Sequence, residues 1–284
     1  ATTIQSLTVD GEIVDTPVPA NVSDTGNGGG STVGTYQING GLIIAVAGTG
    51  WGSGTWSRGT WGSAATTTPS TELRIWTHDN FGEDLLFNVK NGNIYFWDTD
   101  TDTLGTDRGL PLTLVSGADS TTPTVAKQVM VSDRDRHVIV FGCDAETAIG
   151  TQDPLLIRFS NQESITMWAA AATNTAGDLR VGSGSEIICA VETRQQILVW
   201  TDVSVHAMQY LGPPFTFGID QISENTTIAG PLAAKAVDDM VFWMGVEEFY
   251  IYTGQVQKLP CSVRSYVFND FNVGQQELVT AGLN

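Results

Sequence analysis

Along most of this chain apolar residues come in short runs bounded by glycine or by polar turn residues, and no long stretch shows the Ala/Leu/Glu/Lys mixture of a helical protein, so helix is expected to be scarce. That pattern predicts strands. Asp84 to Val89 and Ile94 to Trp97 flank Lys90-Asn91-Gly92-Asn93, whose residue types suit the left-handed backbone of a tight hairpin turn. Gln128 to Val131 and His137 to Phe141 flank Ser132 to Arg136, Glu186 to Val191 and Gln196 to Trp200 flank Glu192 to Gln195, and Ala233 to Val237 and Met240 to Met244 flank Asp238-Asp239. Each of these last three hairpins leads into further strand-like sequence: Leu155 to Phe159 with Ile165 to Trp168, then Ser204 to Tyr210, then Phe249 to Tyr252 with Val256 to Leu259.

Hairpin followed by hairpin, at intervals close to the roughly 40 to 50 residues of propeller repeats, predicts an all-β, β-propeller-like array of antiparallel four-stranded blades with long loops. The blades are expected near 72–115, 123–170, 182–217 and 229–262, within a propeller-like region over 72–284. Residues 1–71 form a separate N-terminal region of short strands and a Gly/Trp-rich loop, with a hairpin about Asn39-Gly40. The repeat is degenerate, so a two-sheet sandwich or a pair of smaller β domains stays open.

Composition agrees with strands and narrows the chemistry. Only 13 Lys and Arg oppose 31 Asp and Glu, giving a net charge of −18, a balance that repels nucleic acid and anionic membrane. No apolar run approaches the roughly 20 residues needed to cross a bilayer as a helix. Cys143, Cys189 and Cys261 are far apart and lack metal-ligand spacing, so they read as free thiols kept reduced in a cytoplasm. The sequons at Asn21 and Asn225 carry no weight without a secretion signal, and a start at Ala1 and a stop at Asn284 read as a piece of a longer polypeptide.

Enzyme templates fail. There is no G-x-S-x-G, no P-loop and no G-x-G-x-x-G opening a helix, and the sialidase blade signature S-x-D-x-G-x-x-W is missing. His78, His137 and His206 have no zinc-ligand spacing. The reading is therefore of a protein that is not an enzyme and needs no cofactor. Asp98, Asp100 and Asp102 alternate as in a calcium loop, but Thr103 stands where such a loop wants Gly and Gly109 where it wants a bidentate Glu, which favours a solvated acidic turn. The eight tryptophans keep open a carbohydrate-binding β-propeller module of a viral or bacterial surface protein, although Trp97, Trp168, Trp200 and Trp243 sit at strand ends where core packing is expected. Trp51, Trp56 and Trp61, spaced among glycines at neither a strand nor a helix period, read as an irregular loop that contacts a neighbouring subunit or an adaptor.

Three passages carry a resemblance. Leu73 to Trp97 (LRIWTHDNFGEDLLFNVKNGNIYFW), the G-W-G-x-G-x-W loop and closing T-W-G of residues 48–62, and Gln221 to Asn272 (with ISENTTIAGP, VDDMVFWMG and LPCSVRSYVFNDFN) resemble, in the same order, the tail nozzle or tail hub proteins of short-tailed bacteriophages. The resemblance implies a structural virion protein of the tail, assembled in the host cytoplasm as a homo-oligomeric ring, usually of six copies. It further implies contacts to a tail adaptor ring and to tail fibres or spikes. The resemblance implies, too, a channel that closes the head and then conducts DNA during ejection without specific binding, with no membrane bound in isolation. No chemistry is implied for the matched residues, and His78-Asp79-Asn80 reads as a hydrogen-bonded strand entry.

Overall fold

β-branched and aromatic runs separated by residues that tolerate tight turns build sixteen strands in the computed structural model, which describes residues 75–102, 108–213 and 215–283. All of these belong to one unit, Gln37–Asn284. The readings over residues 1–71, including the Asn39-Gly40 hairpin and the tryptophan loop, lie outside the described residues.

The strands form four sheets, each of four consecutive antiparallel strands. The first holds β1 (Trp76–Phe81), β2 (Asp84–Val89), β3 (Ile94–Trp97) and β4 (Leu110–Pro111). The second holds β5 (Gln128–Val131), β6 (Val138–Phe141), β7 (Leu156–Phe159) and β8 (Gly177–Arg180). The third holds β9 (Ile187–Glu192), β10 (Ile197–Thr201), β11 (Ser204–Gly212) and β12 (Thr216–Glu224), and the fourth β13 (Ala234–Val237), β14 (Met240–Met244), β15 (Phe249–Tyr252) and β16 (Val256–Lys258). A short helix α1 (Arg264–Asn269) follows, with Phe268 against Phe249 at 5.1 Å between ring centroids.

Sheets stack face to face in chain order, and strand alternation explains how. On β5 and β6, Val129, Val131, Val138 and Val140 pack against Leu86, Ile94 and Phe96 of the first sheet. Their alternate neighbours Met130, Ile139 and Phe141 point the other way, onto Ile187, Ile197 and Val199 of the third. On β10 the same division sends Leu198 and Trp200 toward Val241 and Trp243 of the fourth. The inner strands of sheets two and three are buried on both faces, so β6 is an unbroken apolar run, β10 is apolar up to Thr201, and β7 is apolar but for the buried Arg158, whereas β1 alternates exposed and half-buried. A sequential series of four-stranded meanders, each sharing a core with the next, is a propeller-like array of blades.

Two boundaries differ from the sequence expectation. Ile165 to Trp168 is not a strand: the Asp119 carboxylate accepts the backbone N–H groups of Trp168 (2.6 Å) and Ala169 (3.0 Å), which fixes this stretch as a loop over the buried Trp168. The fourth strand of that blade is β8, where Gly177 lets the chain pass the Phe159 ring, whose nearest atom would lie 2.9 Å from an added Cβ. The third blade runs past 217, because β12 returns along the whole of β11 despite Gly218. His78-Asp79-Asn80 lies inside β1, closed onto β2 by a turn at Gly82, whose φ is +73°.

Candidate functional site

The first strand of every blade faces a common cavity of about 550 Å³, lined from β1, β5, β9 and β13 and by Thr280 and Ala281. A first strand pairs with its blade on one edge only, so its other edge presents bare backbone groups to this axis. At β5 and β9, side chains of the preceding blade satisfy some of them. Val129 N–H donates to Asn88 Oδ1 (3.1 Å) and Thr77 Oγ1 (3.2 Å), and Val131 N–H donates to Asp79 Oδ2 (2.9 Å). Asn88, fully buried, also donates through Nδ2 to the Ala126 carbonyl at 3.0 Å, and Thr77 donates to Asn88 Oδ1. One blade further on, the Gln128 amide makes both bonds that a strand would make with Ala190, accepting from its N–H and donating to its carbonyl, each at 2.8 Å.

Charge in the cavity is divided by position. Lys90, Lys127 and Lys235 line it, and Lys258 is the only other lysine in the chain. Lys127, buried, pairs with Glu186, and Lys90 reaches Glu277 at 3.2 Å. The Glu277 stretch also adds a parallel bridge between Thr280 and Leu232, so it touches the turn after β2 and the entry to β13. At the other ends of β1 and β9 lie Asp79 and Glu192. Burial pushes the Asp79 carboxyl up, and burial together with the nearby charges of Asp133, Asp79 and Asp135 pushes Glu192 up to about 7, although Glu192 accepts the Asp133 N–H at 3.2 Å.

This fixes a pH dependence. A folded-state pKa above the ordinary 4.5 means that the protonated Glu192 favours the fold fully below pH 4.5, and that this contribution is lost as pH rises through 7. Glu192→Gln, which keeps an acceptor for Asp133 without the charge, is expected to raise stability by about 1–2 kcal/mol at pH 8 after allowance for solvent screening, and to leave it unchanged at pH 4. Urea midpoints at the two pH values check it; an equal effect at both would refute the assignment.

The residues singled out by sequence distribute unevenly about this axis. Trp168, Trp200 and Trp243 are core residues at 1%, 0% and 3% exposure, and Trp97 is half-buried. Trp76 is the exception at 43%, tilted on Phe87, which stacks on Tyr95 at 5.3 Å. Asp98 and Asp102 turn their oxygens onto backbone N–H groups of their own loop, those of Asp100 and Asp98, each at 2.9 Å. Among the described residues no three His, Cys, Asp or Glu side chains gather as a metal site. Trp51, Trp56 and Trp61 lie outside the described residues. Buried His137 sits among the Phe159, Tyr210 and Phe217 rings, and buried His206 bonds Ser183 at 3.1 Å; burial lowers both pKa values. Cys143 and Cys189 are buried with their thiols pushed well up, and Cys261 is partly exposed. Among the described residues no helix is long and apolar enough to cross a membrane.

Fold and axis together define a β-propeller-like module held by its first strands. No protein-family model and no curated protein matches the chain. Among solved structures it is similar to Hsv2 of Kluyvelomyces marxianus, at 7% identity and a TM-score of 0.36, over 65% of this chain and 49% of that one. It is also similar to the extracellular domain of the putative one component system BT4673 from B. thetaiotaomicron (17% identity, TM-score 0.39, 71% of this chain and 24% of that one). The AfRom2 CNH domain is similar at 12% identity and a TM-score of 0.40, over 70% of this chain and 60% of that one. At such scores these likenesses add nothing to the class, which rests on the sheet order and the shared cores.

Proposed function

We propose that the chain is a structural virion protein, a subunit of the tail nozzle ring of a short-tailed bacteriophage, whose role is to bind its neighbours by shape and to let DNA pass. The observation that carries this reading is the use made of the polar groups at the axis: Thr77, Asp79, Asn88, Gln128 and Glu192 are spent on backbone groups of the adjoining blade rather than left to meet a substrate. The passages that resemble nozzle proteins supply the first of these fastenings, since Thr77, Asp79 and Asn88 all fall within Leu73 to Trp97. The net charge of −18 suits a wall that must not hold a duplex bearing one negative charge per roughly 1.7 Å.

Electron microscopy of the purified full chain is expected to show closed rings, and a gel-shift assay at about 50 mM salt, where electrostatic binding is strongest, is expected to show no retained DNA. Monomers throughout, or DNA binding that salt abolishes, would overturn the proposal.

A second reading, the carbohydrate-binding module, is favoured by one observation. Trp76 stands exposed at the lining of the axial cavity with a polar surround, an arrangement on which a sugar ring stacks.

A further inference from the structure

Beyond α1 the chain turns back to the axis. Val273–Leu278 coils as a 3₁₀ helix broken at Gln275, and none of its residues is buried. Thr280 then bridges Leu232 in parallel, the Ala281 N–H donates to the Leu232 carbonyl at 2.8 Å, and both residues stand in the wall of the axial cavity. These bonds attach the stretch to blade four. Gly230 lets it lie close there, since an added Cβ would stand 2.9 Å from Glu277 Cα and 3.1 Å from the Gln276 carbonyl oxygen. On its other side the stretch reaches blade one, where Glu277 meets Lys90 of the β2–β3 turn at 3.2 Å.

The two attachments differ in kind. Toward blade four the stretch has backbone bonds and the packing of Val279 against the core that holds Trp243. Toward blade one it has an ion pair whose Glu277 side chain is 40% exposed, and pairs so open to water are weak and are screened by salt. Gln276 works against closure. Its Oε1 is buried without a hydrogen-bond partner among the described residues, and a buried acceptor left unpaired is a cost that water removes on opening. Stretches with few buried contacts are also the ones that open locally while the rest of a fold stays intact. We infer that residues 273–281 are a clasp between blades four and one, which shuts this side of the axial cavity at low ionic strength and lets go as salt screens Lys90 from Glu277. The inference does not depend on the ring reading, because the clasp lies within a single copy.

The test is hydrogen exchange of the full chain, read by mass spectrometry at about 50 mM and about 500 mM sodium chloride. Peptides from 273–283 are expected to exchange about two- to fivefold faster at the higher salt, while those from β6 and β10 keep one rate. Glu277→Lys should exchange fast at both salts, and adding Lys90→Glu should restore slow exchange at the lower one, because the pair is rebuilt with its ends swapped. Gln276→Leu should act in the opposite sense and slow exchange at the higher salt, since it removes the unpaired acceptor and keeps the bulk. Circular dichroism checks that Glu277→Lys keeps its blades. Gly230→Ala is the second route to an open clasp: it displaces the stretch through its backbone, leaves both charges in place, and should give fast exchange that no longer responds to salt. Exchange in the parent that ignores salt, a swapped pair that stays fast, or a Gly230→Ala protein that still responds to salt as the parent does would each overturn the clasp.

Discussion

Trp200→Ala is expected to cost about 3–5 kcal/mol and to bring the array close to unfolding at ambient temperature. Trp200 is completely buried between blades three and four, where its ring meets Trp243 edge-on at 5.3 Å between centroids. Removing it leaves a cavity at the seam that joins two sheets, and neither sheet can move into the gap without losing its own packing. Among the described residues the indole N–H has no hydrogen-bond partner, so Trp200→Phe sacrifices volume but no bond within them. Its cost should be less than half that of alanine. Chemical denaturation of both variants decides the point, and equal costs would show that the seam does not depend on filled volume.

Asn88→Asp should be nearly as damaging at neutral pH, by about 3–5 kcal/mol, though it changes no volume. The buried amide gives protons to the Ala126 and Val89 carbonyls and takes them from Val129 N–H and the Thr77 hydroxyl. A carboxylate reproduces only the accepting half. Two carbonyls would then face an anion at a fully buried position, with no counter-charge among those partners. Protonation restores one donor, and burial without a counter-charge raises the folded-state pKa, so the deficit relative to the parent should shrink as pH falls from 7 and reach its minimum near about 4, the value of the unfolded chain. A deficit under about 1 kcal/mol at pH 7 would mean that the inner edge of β5 needs no such fastening.

The strands were legible because period-two alternation and turn chemistry are local. Lys90-Asn91-Gly92-Asn93 announced its hairpin, and Asn91 does take a φ of +58° between β2 and β3. Where tertiary contacts overrode the pattern, the reading slipped. Nothing near Ile165 to Trp168 reveals that Asp119 will take its N–H groups, and the blade end expected at 217 falls inside β12. The axis was harder still. Asp79, Asn88, Gln128 and Glu192 are single polar residues within strands, and each owes its role to a partner on another blade, between 38 and 62 positions away for the bonds of Asn88, Asp79, Gln128 and Glu192. The one available signal was a polar residue at a position that alternation assigns to the interior, as at Asn88.

Those fastenings have a mechanical consequence. A pull applied across the four blades is carried by three seams in series, so the yield point of the whole is that of its weakest link. The first seam is cross-linked by Thr77, Asp79 and Asn88, and the second by Gln128, Glu192 and the buried Lys127 pair. At the third, between blades three and four, the polar links among the described residues lie away from the inner edge: Gln196 donates to the Tyr252 hydroxyl, and Arg194 meets Asp238 in an exposed pair. Cohesion along the inner edge there rests on the apolar packing of Leu198, Trp200, Val241 and Trp243, which resists separation over a shorter distance than a row of directed bonds shared along a backbone, and the fourth blade is therefore the hinge at which the array gives way.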